Sequence, residues 1–122
     1  MTLVDTSVWI DHWRRGNARL VAVLESGRVA LHPFVIGELS CGSLPKRATT
    51  IRLLEALPQL AVARHTEVMS FVEHERLAAS GIGWTDAHLL AAARLSSTPV
   101  WTLDRALGRA AKRLGLFNEP EL

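Results

Sequence analysis

A chain of 122 residues falls below the roughly 150-residue prior for one domain, so residues 1–122 are expected to form a single domain. With 48% hydrophobic and 21% charged residues, extended disorder, collagen-like and coiled-coil architectures are excluded. Net charge is only +2, and the lone Cys41 excludes an intrachain disulfide framework and multi-cysteine zinc or iron-sulfur sites, which suits a reducing cytoplasm.

Met1 to Asp5 carries no signal-peptide pattern, and no apolar run is long enough to cross a bilayer, so no membrane association is expected. Leu3 and Val4 form a short apolar run ending at Asp5, after which Thr6 or Ser7 can cap a first helix that Gly16 stops. Asn17 caps a second helix with Gly27 at its exit, and Val29 to Leu31 reads as the second strand. Pro33 suits the first turn of a helix running through Glu38. Pro45 opens another, broken by Pro58, and Leu60 to Val62 is a third strand candidate.

Thr66 is expected to cap a long helix ending at Gly81, and Thr85 to cap a helix that is apolar nearly all round and therefore buried against a sheet. Val100 to Leu103 reads as a strand closed by Asp104, followed by a basic helix to Leu114 and an edge strand at Leu116 and Phe117. Each gap between strand candidates exceeds the roughly dozen residues of a parallel crossover, which predicts an α/β sandwich with a parallel sheet.

Two strand candidates end on aspartate, Asp5 and Asp104, and open parallel sheets place their ligands just beyond the carboxyl ends of the strands. Asp86, in the first turn of the helix leading into the Asp104 strand, is placed over the same edge. Glu38 sits in an otherwise apolar helix, where a solvated face is not the obvious explanation. Four carboxylates at one place need protonation or a cation, since two unit charges 4 Å apart repel by about 4 kcal/mol at an effective dielectric near 20. An all-oxygen donor set favours magnesium or manganese over zinc, and such an ion can polarise a phosphodiester and activate water. Thr6, Ser7 and Thr102 stand beside the aspartates and can orient a carboxylate or a bound water.

Each acid also has a structural explanation. Asp5 and Asp104 can simply cap helices, Asp86 can complement a helix dipole, and Glu38 can pair with an arginine. Twelve of the fourteen basic residues are arginine. Arg105 and Arg109 share a helix face beginning at the site and can grip phosphates, although basic residues in a helix also complement its dipole. The histidines show no HExxH pair and are expected at the surface or in packing, with His88 at the site's rim. The tryptophans are expected as core or interface anchors, with base stacking by Trp84 as the functional alternative.

Leu3-Val4-Asp5-Thr6-Ser7-Val8-Trp9-Ile10, Gly37-Glu38-Leu39-Ser40-Cys41-Gly42, Thr85-Asp86-Ala87-His88-Leu89-Leu90-Ala91-Ala92-Ala93 and Thr102-Leu103-Asp104 occur in an order that resembles the PIN-domain ribonucleases of the VapC type, toxins of bacterial toxin-antitoxin pairs. The resemblance implies a three-layer α/β/α sandwich with a five-stranded parallel sheet and a magnesium- or manganese-dependent endoribonuclease acting on RNA. It also implies a homodimer and inhibition by a small antitoxin. It carries catalytic acids onto Asp5, Glu38, Asp86 and Asp104, with Asp5, Asp86 and Asp104 as the metal ligands. Many relatives continue after the last aspartate with another acid and a phenylalanine. Here Arg105, Ala106 and Leu107 follow, which points to a one-metal site. The competing readings are a receiver-like phosphoacceptor domain, which would want paired acids where Thr6 follows Asp5, and a PIN fold retained only for binding.

Overall fold

The computed structural model describes residues 1–122. β1 (Thr2–Val4) lies between β2 (Val29–Ala30) and β3 (Val100–Trp101), parallel to both. The register pairs Leu3 with Ala30 on one side and with Val100 on the other. Both faces of these strands are buried, as expected for a parallel sheet covered by helices.

The helices are α1 (Thr6–Arg15), α2 (Ala18–Glu25), α3 (Pro33–Ser40), α4 (Arg47–Ala56), α5 (His65–His74), α6 (Trp84–Ser96) and α7 (Arg105–Arg113). α1 packs on α2 and α3, and α3 on α4, while α5 packs on α6 and α6 on β3. With right-handed crossovers this puts α1–α4 on one face and α5–α7 on the other. The chain steps outward from β1 to β2 and returns across β1 to β3. The reversal in strand order therefore falls between β1 and β3, whose carboxyl ends lead into Asp5 and Asp104.

Three strands form ladders, against the five expected. The two outer ones are reduced to single parallel bridges, Leu31 with Gln59 and Val100 with Phe117. Each bridge has two backbone hydrogen bonds. Leu31 N–H donates to Pro58 and Leu60 N–H returns to Leu31 on one edge, while Val100 N–H donates to Leu116 and Asn118 N–H returns to Val100 on the other. Pro58 and Pro120 have no N–H to extend either ladder.

Most helix starts follow their local signals, with Asn17 accepting from Leu20 N–H and Pro33 in the first turn of α3. Three expectations fail. α1 is capped by Asp5, with Thr6 and Ser7 already inside the helix. α5 ends at His74, well before Gly81, because Arg76 adopts a left-handed conformation (φ 54°). Thr66 and Thr85 lie inside their helices, whose N-caps are Arg64 and Gly83.

α6 is buried from Ala87 through Ala93, the all-round apolar helix expected over a sheet. It contributes Leu89, Leu90 and Ala93 to a core of 21 residues that includes Leu3, Val4, Val8, Leu20 and Trp101. Leu89 is fully buried, so Leu89→Ala should lower stability by about 3 kcal/mol through lost transfer energy plus a cavity. Denaturant melts read this directly, and a loss under ~1 kcal/mol would contradict the packing described.

Candidate active site

Asp5 is 5% exposed and is held through one oxygen. Its Oδ2 accepts the Thr102 hydroxyl at 2.7 Å, the Ser7 hydroxyl at 2.8 Å and Ser7 N–H at 3.4 Å. Each hydroxyl is itself oriented from behind: Leu103 N–H donates to Ser7 Oγ and Asp104 N–H to Thr102 Oγ1, both at 3.0 Å. Each hydroxyl thus accepts a backbone N–H and turns its own proton to Asp5, which fixes the orientation of the carboxylate. Thr102 and Leu103 have left the β3 ladder, and this network replaces the strand expected there.

Asp104 caps α7 by accepting Leu107 N–H on Oδ2 at 2.8 Å, and Asp86, in the first turn of α6, accepts Gly83 N–H on Oδ2 at 3.4 Å. The structural explanations, capping for Asp5 and Asp104 and a first-turn position for Asp86, are thus correct and compatible with a site, because each occupies one oxygen and the protein donates no hydrogen bond to Oδ1 of any of the three. Asp5, Asp86 and Asp104 stand at the N-terminal ends of α1, α6 and α7, where helix dipoles favour negative charge.

Glu38 departs from expectation. It is exposed, pairs with no arginine, and receives the Thr6 hydroxyl on Oε1 at 3.3 Å. Thr6 therefore steadies Glu38, whereas Ser7 and Thr102 steady Asp5. None of the four ion pairs in the chain involves any of these four acids.

Their proximity is expressed at Asp86. Burial, ahead of the fields of Asp5, Asp104 and Glu38, pushes its carboxyl up to about 6, against the opposing pull of Gly83 N–H. No three carboxylates close into a ready-made cage. Magnesium does not require one, since it keeps several waters and binds through one or two carboxylates. The all-oxygen donors, their free second oxygens and the absence of a counter-cation fit such an ion.

The family model for the PIN domain matches residues 2–113. The chain belongs to the PIN-domain family. Ribonuclease VapC32 of Mycobacterium tuberculosis, in strains H37Rv and CDC 1551, is 42% identical over 117 residues, covering 95% of this chain and 94% of the relative. FitAcB from Neisseria gonorrhoeae superposes with a TM-score of 0.62 at 25% identity, over 92% of this chain and 94% of that one. A toxin-antitoxin complex from Klebsiella pneumoniae gives 0.65 at 20% identity over 85% and 87%, which bears on the fold.

This PIN domain keeps Arg105 and Arg109 exposed, and neither takes part in an ion pair. Farther along α7, Lys112 lies 4.7 Å from the Phe117 ring centre and Arg113 donates to the Glu75 carbonyl at 2.8 Å, so the end of the helix serves the fold. Of the two places expected for the histidines, surface or packing, His32 and His88 take the second and are buried. His32 Nδ1 caps α3 by accepting Phe34 N–H, and burial, reinforced by His88, pushes the imidazole down to about 4. Its place immediately before Pro33 was the available signal, since a residue there caps the helix that proline starts. Trp9 and Trp101 are core residues as expected, whereas Trp84 is 41% exposed.

Proposed function

We propose that this PIN domain is a metal-dependent endoribonuclease, the toxin of a toxin-antitoxin pair, acting in the cytoplasm as a single domain over residues 1–122. The observation that carries this reading is that Asp5, Asp104 and Glu38 all bear electrostatically on the half-buried Asp86, while none of the four acids pairs with a protein cation. The extent of its likeness to Ribonuclease VapC32 supports RNA as the substrate. The VapC-type resemblance supports a small antitoxin as partner and a homodimer.

Asp5, Asp86 and Asp104 would hold one magnesium or manganese ion, directly or through its waters. When bound, the ion supplies Lewis acidity to the scissile phosphate and acidifies water. Asp5 enters with its orientation fixed by Ser7 and Thr102, so little reorganisation is needed when the cation binds. Glu38, steadied by Thr6, lies at the solvent side and positions the attacking water. Arg105 and Arg109, exposed at the start of α7, hold phosphates on either side of the cut.

The test is incubation of purified, antitoxin-free protein with total cellular RNA and magnesium or manganese, with EDTA as the control. Discrete fragments that vanish with EDTA are expected. Cutting that persists in EDTA, or no cutting with either ion, would overturn the reading.

A further inference from the structure

The segment between α5 and α6 is irregular yet firmly held. Arg76 and Ala79 are left-handed at φ 54° and 59°, and Gly81 at 86°. Non-glycine residues in that region are strained, and strain persists only where surrounding contacts fix it. Arg113 fixes the start by donating to the Glu75 and Arg76 carbonyls at 2.8 and 3.4 Å, and Arg94 pairs with the Glu75 carboxylate at 3.1 Å. Gly81 lies so close to α7 that a Cβ there would stand 3.4 Å from Ala106 Cβ, one residue beyond Arg105. The segment is therefore wedged beside the start of α7.

Its inner side and Trp84 border an open recess of about 190 Å³ lined largely by Val72, Leu77, Ile82, Gly83, Trp84 and Ala87. Trp84 remains 41% exposed although two imidazoles hold its ring, His88 edge-on at 4.9 Å and 88°, and His65 at 5.1 Å. His88 in turn packs on Phe34 at 4.5 Å. This is a rigid aromatic surface with an apolar recess beside it. It adjoins the acids directly, because Gly83, which lines the recess, donates its N–H to Asp86. A recess of this size takes one planar ring, and its continuity with the acids points to a base of the RNA they would cut.

We propose that Trp84 and this recess form a nucleobase subsite, in which an unstacked base of single-stranded RNA next to the scissile phosphate lies against the indole. The inference rests on the nuclease reading above and adds how the RNA is gripped and where base preference is set. Proteins read single-stranded RNA by splaying bases onto aromatic side chains, and such stacking contributes strongly to affinity.

The experiment compares Trp84→Leu with Trp84→Phe. Binding of fluorescein-labelled poly(A), poly(C) and poly(U) is measured by anisotropy in the Asp5→Asn background, and cut sites are mapped on total RNA in the otherwise unaltered protein. The leucine variant should bind roughly 10- to 100-fold more weakly and lose base preference next to the cut, while phenylalanine stays within about threefold of the parent. Unchanged affinity and cut sites in the leucine variant would overturn the subsite. So would a phenylalanine variant as defective as leucine, or an altered oligomeric mass of the leucine variant by light scattering, which would make the face an interface between copies. If the parent protein cuts no RNA, the nuclease reading fails, and the homopolymer titrations still decide whether Trp84 binds bases.

Discussion

Asp5→Asn is expected to reduce metal-dependent RNA cleavage on the order of a thousandfold while leaving the fold intact. The two halves of that expectation have different origins. Asp5 Oδ2 accepts three hydrogen bonds, and the amide oxygen of asparagine can accept them in its place. The other half of the group, Oδ1 in the aspartate, becomes an NH2 that cannot ligate a cation. The charge that makes Asp5 a hard-cation ligand is lost as well. A melting temperature within a few degrees of the parent, together with lost cleavage, is the expected pair of results. Retained cleavage in a folded Asp5→Asn protein would remove Asp5 from the chemistry. Large destabilisation would mean that its charge is needed chiefly for the Ser7 and Thr102 network.

Asp86→Asn should separate stability from function in opposite directions. The folded protein holds this carboxyl at about 6, above its ordinary value near 4, mainly because it is partly buried and further because three other acids face it. A raised folded-state value means that the charged form is disfavoured by folding. The resulting stability is fully present below about pH 4 and is lost as pH rises through about 6. At about pH 8 without metal, Asp86 therefore costs on the order of 1 kcal/mol once solvent screening of this half-buried group is allowed for. Asparagine keeps an acceptor for Gly83 N–H and removes the repulsion, so the metal-free variant should melt a few degrees higher at about pH 8 and show no gain at about pH 4. Added magnesium should then stabilise it far less than the parent, and cleavage should fall about a hundredfold or more. A variant less stable than the parent at about pH 8 would show that the acids do not crowd one another in solution.

The legible parts of this protein are those governed by short-range chemistry. Asn17, Pro33 and Asp104 mark helix starts because capping and proline geometry act within one helical turn. The apolar run at Leu3 and Val4 and the all-round apolar stretch from Ala87 to Ala93 mark the sheet and the helix over it, since burial patterning is written in adjacent residues. Asp5 and Asp104 could be placed together before any coordinates, because in a parallel sheet the carboxyl ends of the strands share one edge. The opening, middle and closing motifs, in their order, were enough to point to the PIN-domain family, to which the chain belongs.

Tertiary structure decided what depends on residues far apart in the chain. Thr102 and Asp5 are 97 positions apart, and only the β1–β3 pairing turns the threonine hydroxyl onto the carboxylate. Thr6 pairs with Glu38 across 32 positions and leaves Asp5 to its neighbours, a division that the shared motif around Asp5 does not encode. The two outer strands shrink to single bridges because edge pairing depends on what lies alongside, and the segments next to Pro58 and Pro120 do not extend it. α5 stops early where Arg76 turns left-handed and Arg113, reaching over from α7, holds the turn. Local sequence thus determined where α2, α3 and α7 begin and that Asp5 and Asp104 share an edge. Packing and long-range hydrogen bonds determined where elements end, which oxygen of each acid stays free, and which aromatic ring remains uncovered beside them.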